Sequence, residues 1–300
     1  MALHAWTSAR CVVPLPAGHR FPIEKYERLR RRVIDEGLVP PSHLHEPERV
    51  ARADLLRVHT ADYVDRMIGG ALTEAELRRI GFPWSAGLVE RSLRAVGGTC
   101  EAVACALDEG LAINLAGGTH HAFPSHGEGF CVFNDVAVAV RGALAAGRIR
   151  RAAIVDLDVH QGNGTHAIFA GDPRVCTFSM HGGRNYPFHK VSGTLDIELE
   201  DGMGDERYLS LLAEALPRVL AGSAPDLVVY LAGADPHEGD RLGRLALTFE
   251  GLARRDHMVL HAAREVGIPV AITIAGGYGR DVDTTVEVHC RTVRVAAAMT

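Results

Sequence analysis

From residue 111 onward, short apolar segments rich in β-branched residues alternate with longer segments that carry apolar residues at helical spacing. The short segments predict strands at 111–115, 152–157, 175–179, 195–199, 227–231 and 269–275. The segments between them predict helices at 132–146, 165–170, 206–220 and 249–266, and a last helix from about 282. Strands that alternate with helices build βαβ units, in which helices cover both faces of a parallel sheet. We therefore predict an α/β fold with a mainly parallel sheet and helices on both of its faces.

The first 110 residues are less regular. They predict a short strand at 11–13, a charged helix at 23–36 and a long packed helix at 88–107. A chain of 300 residues with 47% hydrophobic side chains can bury a large core in one or two domains. No linker, internal repeat or low-complexity tract divides the sequence, so we expect a single domain over residues 1–300.

The charge and the cysteine content exclude several classes of protein. The net charge is −5 and no run of lysine or arginine suggests a polybasic arm, so we expect no direct nucleic-acid partner. The six cysteines form no CxxC pair, which is typical of reduced thiols in a cytosol. We see neither a signal peptide nor an apolar run of about 18 residues that would span a membrane. The prediction is a cytoplasmic protein without a membrane partner, and the oligomeric state is left open.

The strand predicted at 152–157 leads directly into two carboxylates and an imidazole. Alternate residues of a strand share a face, so Asp156, Asp158 and His160 would point the same way if the extended geometry lasted that far. Burying such polar groups together costs free energy unless a positive charge stabilises them. A bound divalent metal ion is the simplest source of that charge.

Other predicted strands also end in reactive side chains. In chain order, the strand ends deliver the tandem His120 and His121, then Asp158 and His160, then Asp235, then Tyr278. In an open parallel sheet, ligands bind outside the carboxyl ends of the strands. Asp158, His160 and Asp235 would hold a metal and leave a position for water, as catalytic zinc sites do. The alternative to a metal site is a purely structural role, in which an Asp caps a turn and a His packs in the core. The recurrence of reactive residues at strand ends disfavours this alternative.

The remaining polar residues of these turns predict acid–base chemistry. Neighbouring histidines point in different directions, so we expect His121 to be a general base on metal-activated water, with His120 as a second acid–base or electrostatic partner. Asp156 and Asn163 are the expected partners of these imidazoles, and the histidine beside Asn163 should be the less basic one. Tyr278 fits a phenol that donates to a developing oxyanion, and it fits an ordinary aromatic on a turn equally well.

With these residues assembled, the sequence resembles the zinc-dependent histone deacetylase superfamily, which has the arginase-deacetylase α/β fold. The resemblance runs over nearly the whole chain and is carried by motifs at 19–22, 117–122, 129–135, 156–164, 185–187, 232–235, 239–243 and 275–278. Within the superfamily the sequence is most similar to class IV and its bacterial relatives. Asn163 replaces an aspartate that some classes carry, a change typical of class II and IV members that does not indicate inactivity. His237 is less standard and is expected on the rim of a loop rather than in the metal site.

The resemblance implies a role for each of these residues. The zinc ligands would be Asp158, His160 and Asp235, a set that suits iron(II) as well. The catalytic group would comprise His120, His121, Tyr278, Asp156 and Asn163. A structural potassium ion would lie near Asp156, Asp158, His160, Ser179 and Met180. The channel for acyl-lysine would be lined by Gly129, Phe130, Tyr186 and Gly277; by residue type alone, Phe130 and Tyr186 fit a core equally well.

The implied reaction is removal of an acyl group, acetyl or longer, from the amine of a lysine side chain by zinc-activated water. Other interpretations stay open at this point. A deacylase of small amides such as acetylpolyamines would carry the same motifs. A manganese ureohydrolase would need carboxylates that bridge two metals, and these motifs point to one. A catalytically silent module that binds acyl-lysine would be expected to lack Tyr278, His121 or part of the metal site.

Overall fold

The computed structural model describes residues 2–300 and shows the predicted alternation of strands and helices. The strands of these residues are β1 (His4–Trp6), β2 (Leu44–His45), β3 (Leu111–Asn114), β4 (Ala152–Asp156), β5 (Val175–Gly182), β6 (Leu195–Leu199), β7 (Leu227–Ala232) and β8 (Val270–Ile274). The α-helices are α1 (Lys25–Asp35), α2 (Arg52–Leu55), α3 (Ala61–Gly69), α4 (Glu74–Ile80), α5 (Ala86–Glu109), α6 (Asp135–Ala145), α7 (Asn163–Phe169), α8 (Asp205–Ser223), α9 (Phe249–Glu265) and α10 (Val282–Ala297).

These strands form one sheet in the order β2-β1-β3-β8-β7-β4-β5-β6, and every adjacent pair runs parallel. Their carboxyl ends therefore lie along one edge. In β4, Ala153 and Val155 pack into one apolar cluster, while Ala152 and Ile154 pack into another. Helices cover both faces of the sheet, which explains why β4 is apolar almost throughout. The predicted α/β class, with a parallel sheet and helices on both of its faces, is confirmed.

The prediction of a first strand at 11–13 is wrong. Those residues are irregular, and the edge of the sheet is formed instead by β1 and β2. Ala5 of β1 pairs with Ile113 of β3 on one side and with Leu44 of β2 on the other. Strands of three and two residues carry no alternation that a sequence pattern can detect, so only their pairing in the sheet, β1 with β3 and β2 with β1, defines them.

Within residues 2–300, no helix combines the length and the apolar character needed to cross a bilayer. The cytoplasmic location and the single domain over residues 1–300 stay predictions.

Candidate metal centre and active site

Three side chains of metal-ligand type meet in the turns that follow β4 and β7. One ligand atom each of Asp158, His160 and Asp235 lies within 4.8 Å of the others, and all three residues are buried. We call these residues the ligand set. His160 Nδ1 lies 3.0 Å from Asp158 Oδ1 and 3.1 Å from Asp235 Oδ2. Since β4 ends at Asp156, a turn rather than an extended strand brings them together, with the N–H of Asp158 donating to Asp156 Oδ1.

The charges of the ligand set favour a cation. Burial raises the pKa of Asp235, and the charge of Asp158 raises it further. Burial lowers the pKa of His160, but hydrogen bonds to Asp158 and Asp235 outweigh burial and raise it to about 10. A side chain at Gly276 would collide with both carboxylates, so glycine keeps the space beside them open. Two oxygens and one nitrogen around this space fit zinc or iron(II).

Two adjacent histidines lie beside the ligand set, with ring centroids 4.1 Å apart. His120 Nδ1 pairs with Asp156 Oδ2 at 2.7 Å, and His121 Nδ1 pairs with Asn163 Oδ1 at 2.7 Å. Burial lowers the pKa of His120, but Asp156 and Asp158 outweigh burial and raise it to about 9. Burial and the charge of His120 hold the pKa of His121 well below its ordinary value. The two imidazoles are therefore perturbed in opposite directions, with the cationic form favoured at His120 and the neutral form at His121.

A buried carboxylate positions the turn that carries these histidines. Asp135 is the first residue of α6, and its side chain accepts the N–H of Gly118 at 3.1 Å and the N–H of Thr119 at 2.7 Å. Gly118 has a φ of +64°, and a side chain there would collide with Ala275. Sequence reasoning assigned Asp135 no role of its own, although it lies within the motif at 129–135.

A second carboxylate that sequence reasoning missed, Glu128, lies behind His121. Glu128 Oε1 accepts from Asn163 Nδ2 at 2.7 Å and from the Tyr186 hydroxyl at 2.8 Å. Because the Asn163 amide donates to Glu128, its oxygen faces His121 and accepts the proton on Nδ1. The lone pair of His121 is then on Nε2. No sequence signal joins positions 128 and 163, which are 35 residues apart.

Tyr278 is held through its backbone, while its hydroxyl has no hydrogen-bond partner among residues 2–300. Its N–H donates to Asp240 Oδ2 at 2.6 Å, and its carbonyl accepts from Arg241 Nε at 2.9 Å. Lys25 Nζ donates to the Gly277 carbonyl at 3.2 Å and lies 5.4 Å from the centroid of the Tyr278 ring. Burial, together with the two carboxylates of the ligand set, raises the pKa of the Tyr278 phenol well above its usual range. The phenol is therefore a hydrogen-bond donor.

A cavity of about 380 Å³ opens from this cluster to the surface. Its floor is formed by His121, His160 and Tyr278, and its walls include Gly129, Phe130 and Tyr186. The Tyr186 ring meets the His121 ring edge-on, with centroids 5.0 Å apart. Phe188 lies at the rim and is 82% exposed. Phe130 and Tyr186 therefore line an open cavity, which is the placement expected of channel residues rather than of core residues.

The two glycines predicted for the channel lie in different surroundings. Gly129 lines the cavity with a φ of +56°, and a side chain there would press on the His121 ring. Gly277 is not among the residues that line this cavity, and a side chain at this position would collide with Thr285 and Ala234. Its contribution is the carbonyl that accepts from Lys25.

The residues predicted for potassium lie on the neighbouring strands β4 and β5 and in the turn after β4. Asp156 pairs with Ser179 in register, and Ser179 and Met180 are buried. The potassium ion itself stays a prediction. His237, which we expected at a loop rim, is buried, and its ring packs 4.3 Å from that of Phe249, outside the ligand set.

Beneath the ligand set lies a buried ion pair that sequence reasoning missed. Arg255 of α9 is fully buried, and its Nη1 donates to the Gly233 carbonyl at 2.7 Å and to the Leu157 carbonyl at 3.3 Å. These carbonyls belong to the turns that carry Asp235 and Asp158. Arg255 is paired with Asp256, whose carboxylate lies 2.8 Å from its Nη2.

This chain is similar to several known proteins along most of its length. Residues 19–293 match the family model of the histone deacetylase domain. An uncharacterized protein of Picosynechococcus sp. is 48% identical over 285 residues, which cover 95% of this chain and 95% of that protein. Histone deacetylase 2 of Arabidopsis thaliana is 34% identical over 270 residues, which cover 87% of this chain and 70% of that protein.

Solved structures support the same fold. The crystal structure of an HDAC (histone deacetylase) homolog from Aquifex aeolicus has a TM-score of 0.85 at 22% sequence identity. The superposition covers 98% of this chain and 83% of that one. With the family model matched over residues 19–293, the chain belongs to the histone deacetylase family.

Proposed function

We propose that this member of a family of deacetylases removes acyl groups from lysine side chains, using one divalent metal ion, zinc, in the ligand set. The observation that carries the proposal is the meeting of three groups at the floor of one open cavity. They are a three-residue metal site, a neutral imidazole beside a cationic one, and a phenol with no partner among residues 2–300. Amide hydrolysis uses each of these groups, whereas a module that only binds acyl-lysine needs none of them.

His121 is the general base of the proposed mechanism. The ligand set would hold the metal, which when bound supplies Lewis-acid polarisation and an activated water. Asn163 fixes the Nδ1 proton of His121, so Nε2 is free to accept a proton. Glu128 keeps the Asn163 amide in the orientation that this requires. The low pKa of His121 keeps the ring neutral before the reaction.

Two further residues stabilise the charges of the reaction. The Tyr278 hydroxyl is free to donate to the carbonyl oxygen of the scissile amide as negative charge develops there. His120, cationic and oriented by Asp156, adds positive charge beside the reacting groups. A protonated histidine of this pair then supplies the proton that the leaving amine needs. The walls formed by Phe130 and Tyr186 limit the water around these groups.

An acyl-length panel tests the proposal. The protein is incubated with lysine peptides that carry acyl groups of increasing length and, in parallel, with acetylated polyamines, while bound metal is quantified. We expect hydrolysis of acyl-lysine at about one metal per chain, and loss of activity after chelation that added zinc restores. Faster turnover of the polyamines than of every peptide would contradict the substrate class. A protein with full metal content and no amide hydrolysis would contradict the activity.

Substitutions of Glu128 are expected to lower activity to different extents. Replacing Glu128 with alanine leaves the Asn163 amide without its acceptor, so the amide can rotate and His121 loses its fixed tautomer. We expect kcat/KM to fall by about 10- to 100-fold, the range usual for partners behind a metal-site residue. Glu128→Gln keeps an acceptor oxygen and should lose less. The measurement is steady-state kinetics on one acetyl-lysine peptide.

The matched control for this prediction is Glu214→Ala, which removes an exposed glutamate of α8 that lies outside the lining of the cavity. It should leave kcat/KM unchanged. Equal activity of the Glu128→Ala variant and the wild type would show that the Asn163 amide does not need this carboxylate.

A further inference from the structure

The entrance of the active-site cavity is strongly basic. Of the residues 2–300 that line this cavity, four are arginines and none carries a carboxylate. We call these four the basic mouth: Arg20, Arg79, Arg184 and Arg244. An adjoining groove of about 470 Å³ shares Arg20 and Arg79 and adds Arg78, again without an acid in its lining. The chain as a whole has a net charge of −5, so the charge of this entrance has the opposite sign to that of the molecule.

The positive charge of the basic mouth is only partly neutralised. Asp201 lies 3.1 Å from Arg244 and 3.8 Å from Arg184, so one carboxylate serves two guanidinium groups. Arg20 and Arg79 are exposed, and neither forms an ion pair with a carboxylate of residues 2–300. At least two full positive charges are therefore free to meet a ligand.

The basic mouth lies where the carrier of the acylated amine would lie. The reacting groups form the floor of the cavity, with His121 and Tyr278 buried, whereas the arginines lie at its open end. A lysine side chain that reaches the floor leaves its own backbone and its sequence neighbours at the entrance. The arginines would thus contact the residues around the acyl-lysine, and the acyl group would lie beyond their reach.

We propose, resting on the function proposed above, that the basic mouth selects acyl-lysines that lie in acidic peptide segments. A guanidinium binds a carboxylate with two parallel hydrogen bonds, so aspartate and glutamate beside the acyl-lysine are the groups that it fits. Lysine- or arginine-rich flanks and acetylpolyamines bring like charge to the same place and are disfavoured. The adjoining groove with Arg78 and Arg79 extends the basic surface past the entrance, along the path of a bound peptide.

The test compares three acetyl-lysine peptides of equal length, flanked by acidic, neutral or basic residues. At low salt we expect kcat/KM to be at least tenfold higher for the acidic than for the basic peptide, with the difference mainly in KM. It should shrink at about 1 M salt, where the Debye length is about 3 Å. Equal kcat/KM values, or a preference for the basic peptide, would overturn the inference. A higher kcat/KM for succinyl-lysine than for acetyl-lysine in the neutral peptide would also overturn it, since the arginines would then bind the carboxylate of the acyl group rather than acidic residues of the peptide.

Charge reversal assigns the preference to named residues. In Arg20→Glu/Arg79→Glu, the ratio of kcat/KM between acidic and basic peptides should fall by at least tenfold. The control is Arg218→Glu, which changes an exposed arginine of α8 outside the basic mouth and should keep the wild-type ratio. An unchanged ratio in the double variant would overturn the inference. Because the ratio is taken within one protein, a partial loss of folded variant does not alter it. Absence of hydrolysis with all three peptides would instead remove the proposed function, and this inference with it.

Discussion

Replacing Asp235 with asparagine is expected to abolish the retention of a divalent metal and to lower amide hydrolysis to the background rate. Asp235 supplies one of the two carboxylates of the ligand set, and its Oδ2 faces His160. Asparagine has nearly the same shape and keeps an oxygen that accepts the N–H of Val159, a bond of 2.9 Å in the wild type. The substitution therefore removes charge while preserving the turn. Metal content by elemental analysis and kcat/KM on an acetyl-lysine peptide measure the two losses.

The same substitution separates metal binding from folding. In the metal-free protein, Asp158 and Asp235 are like charges in a buried site, so neutralising one should leave the thermal midpoint unchanged or raise it. Metal that binds only the folded state stabilises it, by about 4 kcal/mol at a thousandfold excess over Kd. Saturating metal should therefore raise the midpoint of the wild type and leave that of Asp235→Asn nearly unchanged.

The control is Asp108→Asn, which neutralises an exposed aspartate that is paired with Arg148. It should keep the metal content, the activity and the metal-dependent rise in midpoint. If Asp235→Asn bound one metal per chain with wild-type affinity, Asp235 would not be a ligand.

The proximity of the three residues of the ligand set could be predicted from the sequence, because a parallel sheet places the carboxyl ends of all its strands on one edge. His160 and Asp235 are 75 positions apart, yet each comes after an apolar segment that the sequence marks as a buried strand. The sequence does not show that β4 and β7 are neighbours, and the structure supplies this adjacency. The conformation of the turn after β4 could not be predicted either. The strand ends at Asp156, and the backbone N–H groups of Asp158 and His160 donate to the carboxylates of Asp156 and Asp158, which shapes this turn.

The residues that sequence reasoning missed have roles that depend, at least in part, on contacts with residues distant in sequence. Glu128 and Asp240 act through Asn163 and Tyr278, and no local pattern connects them. Arg255 lies on a helix whose sequence mixes charged and apolar residues, where an arginine is ordinarily solvent-exposed. Adjacency in sequence also does not fix the direction in which a residue points, since a side chain at Gly277, next to Tyr278, would point toward Thr285 and Ala234.

Replacing Arg255 with methionine is expected to lower the free energy of unfolding by about 3–5 kcal/mol, the usual cost of breaking a buried ion pair from one side. The carboxylate of Asp256, itself buried, would lose two bonds from Arg255, of 2.9 and 2.8 Å. It would keep the hydroxyls of Tyr230 and Thr292, which donate to it at 2.5 and 2.6 Å. Two hydroxyls carry no net charge, so the negative charge of Asp256 would remain buried and uncompensated. Urea denaturation of the metal-free protein measures the loss.

The effect of Arg255→Met should reach the metal site because of the two carbonyls that Arg255 Nη1 holds. Without that donor, the turns that carry Asp158 and Asp235 lose their common anchor, and metal affinity should fall by about 10- to 100-fold even where the variant is folded. Arg254→Met is the matched control, since Arg254 is the exposed neighbour on the same helix, and it should cost less than about 0.5 kcal/mol. Arg255→Lys keeps the charge without the planar fork, so its losses should lie between those of the other two variants. If Arg255→Met lost stability while its metal affinity stayed that of the wild type, the ion pair would support the core alone, and the position of the ligand set would depend on the turns themselves.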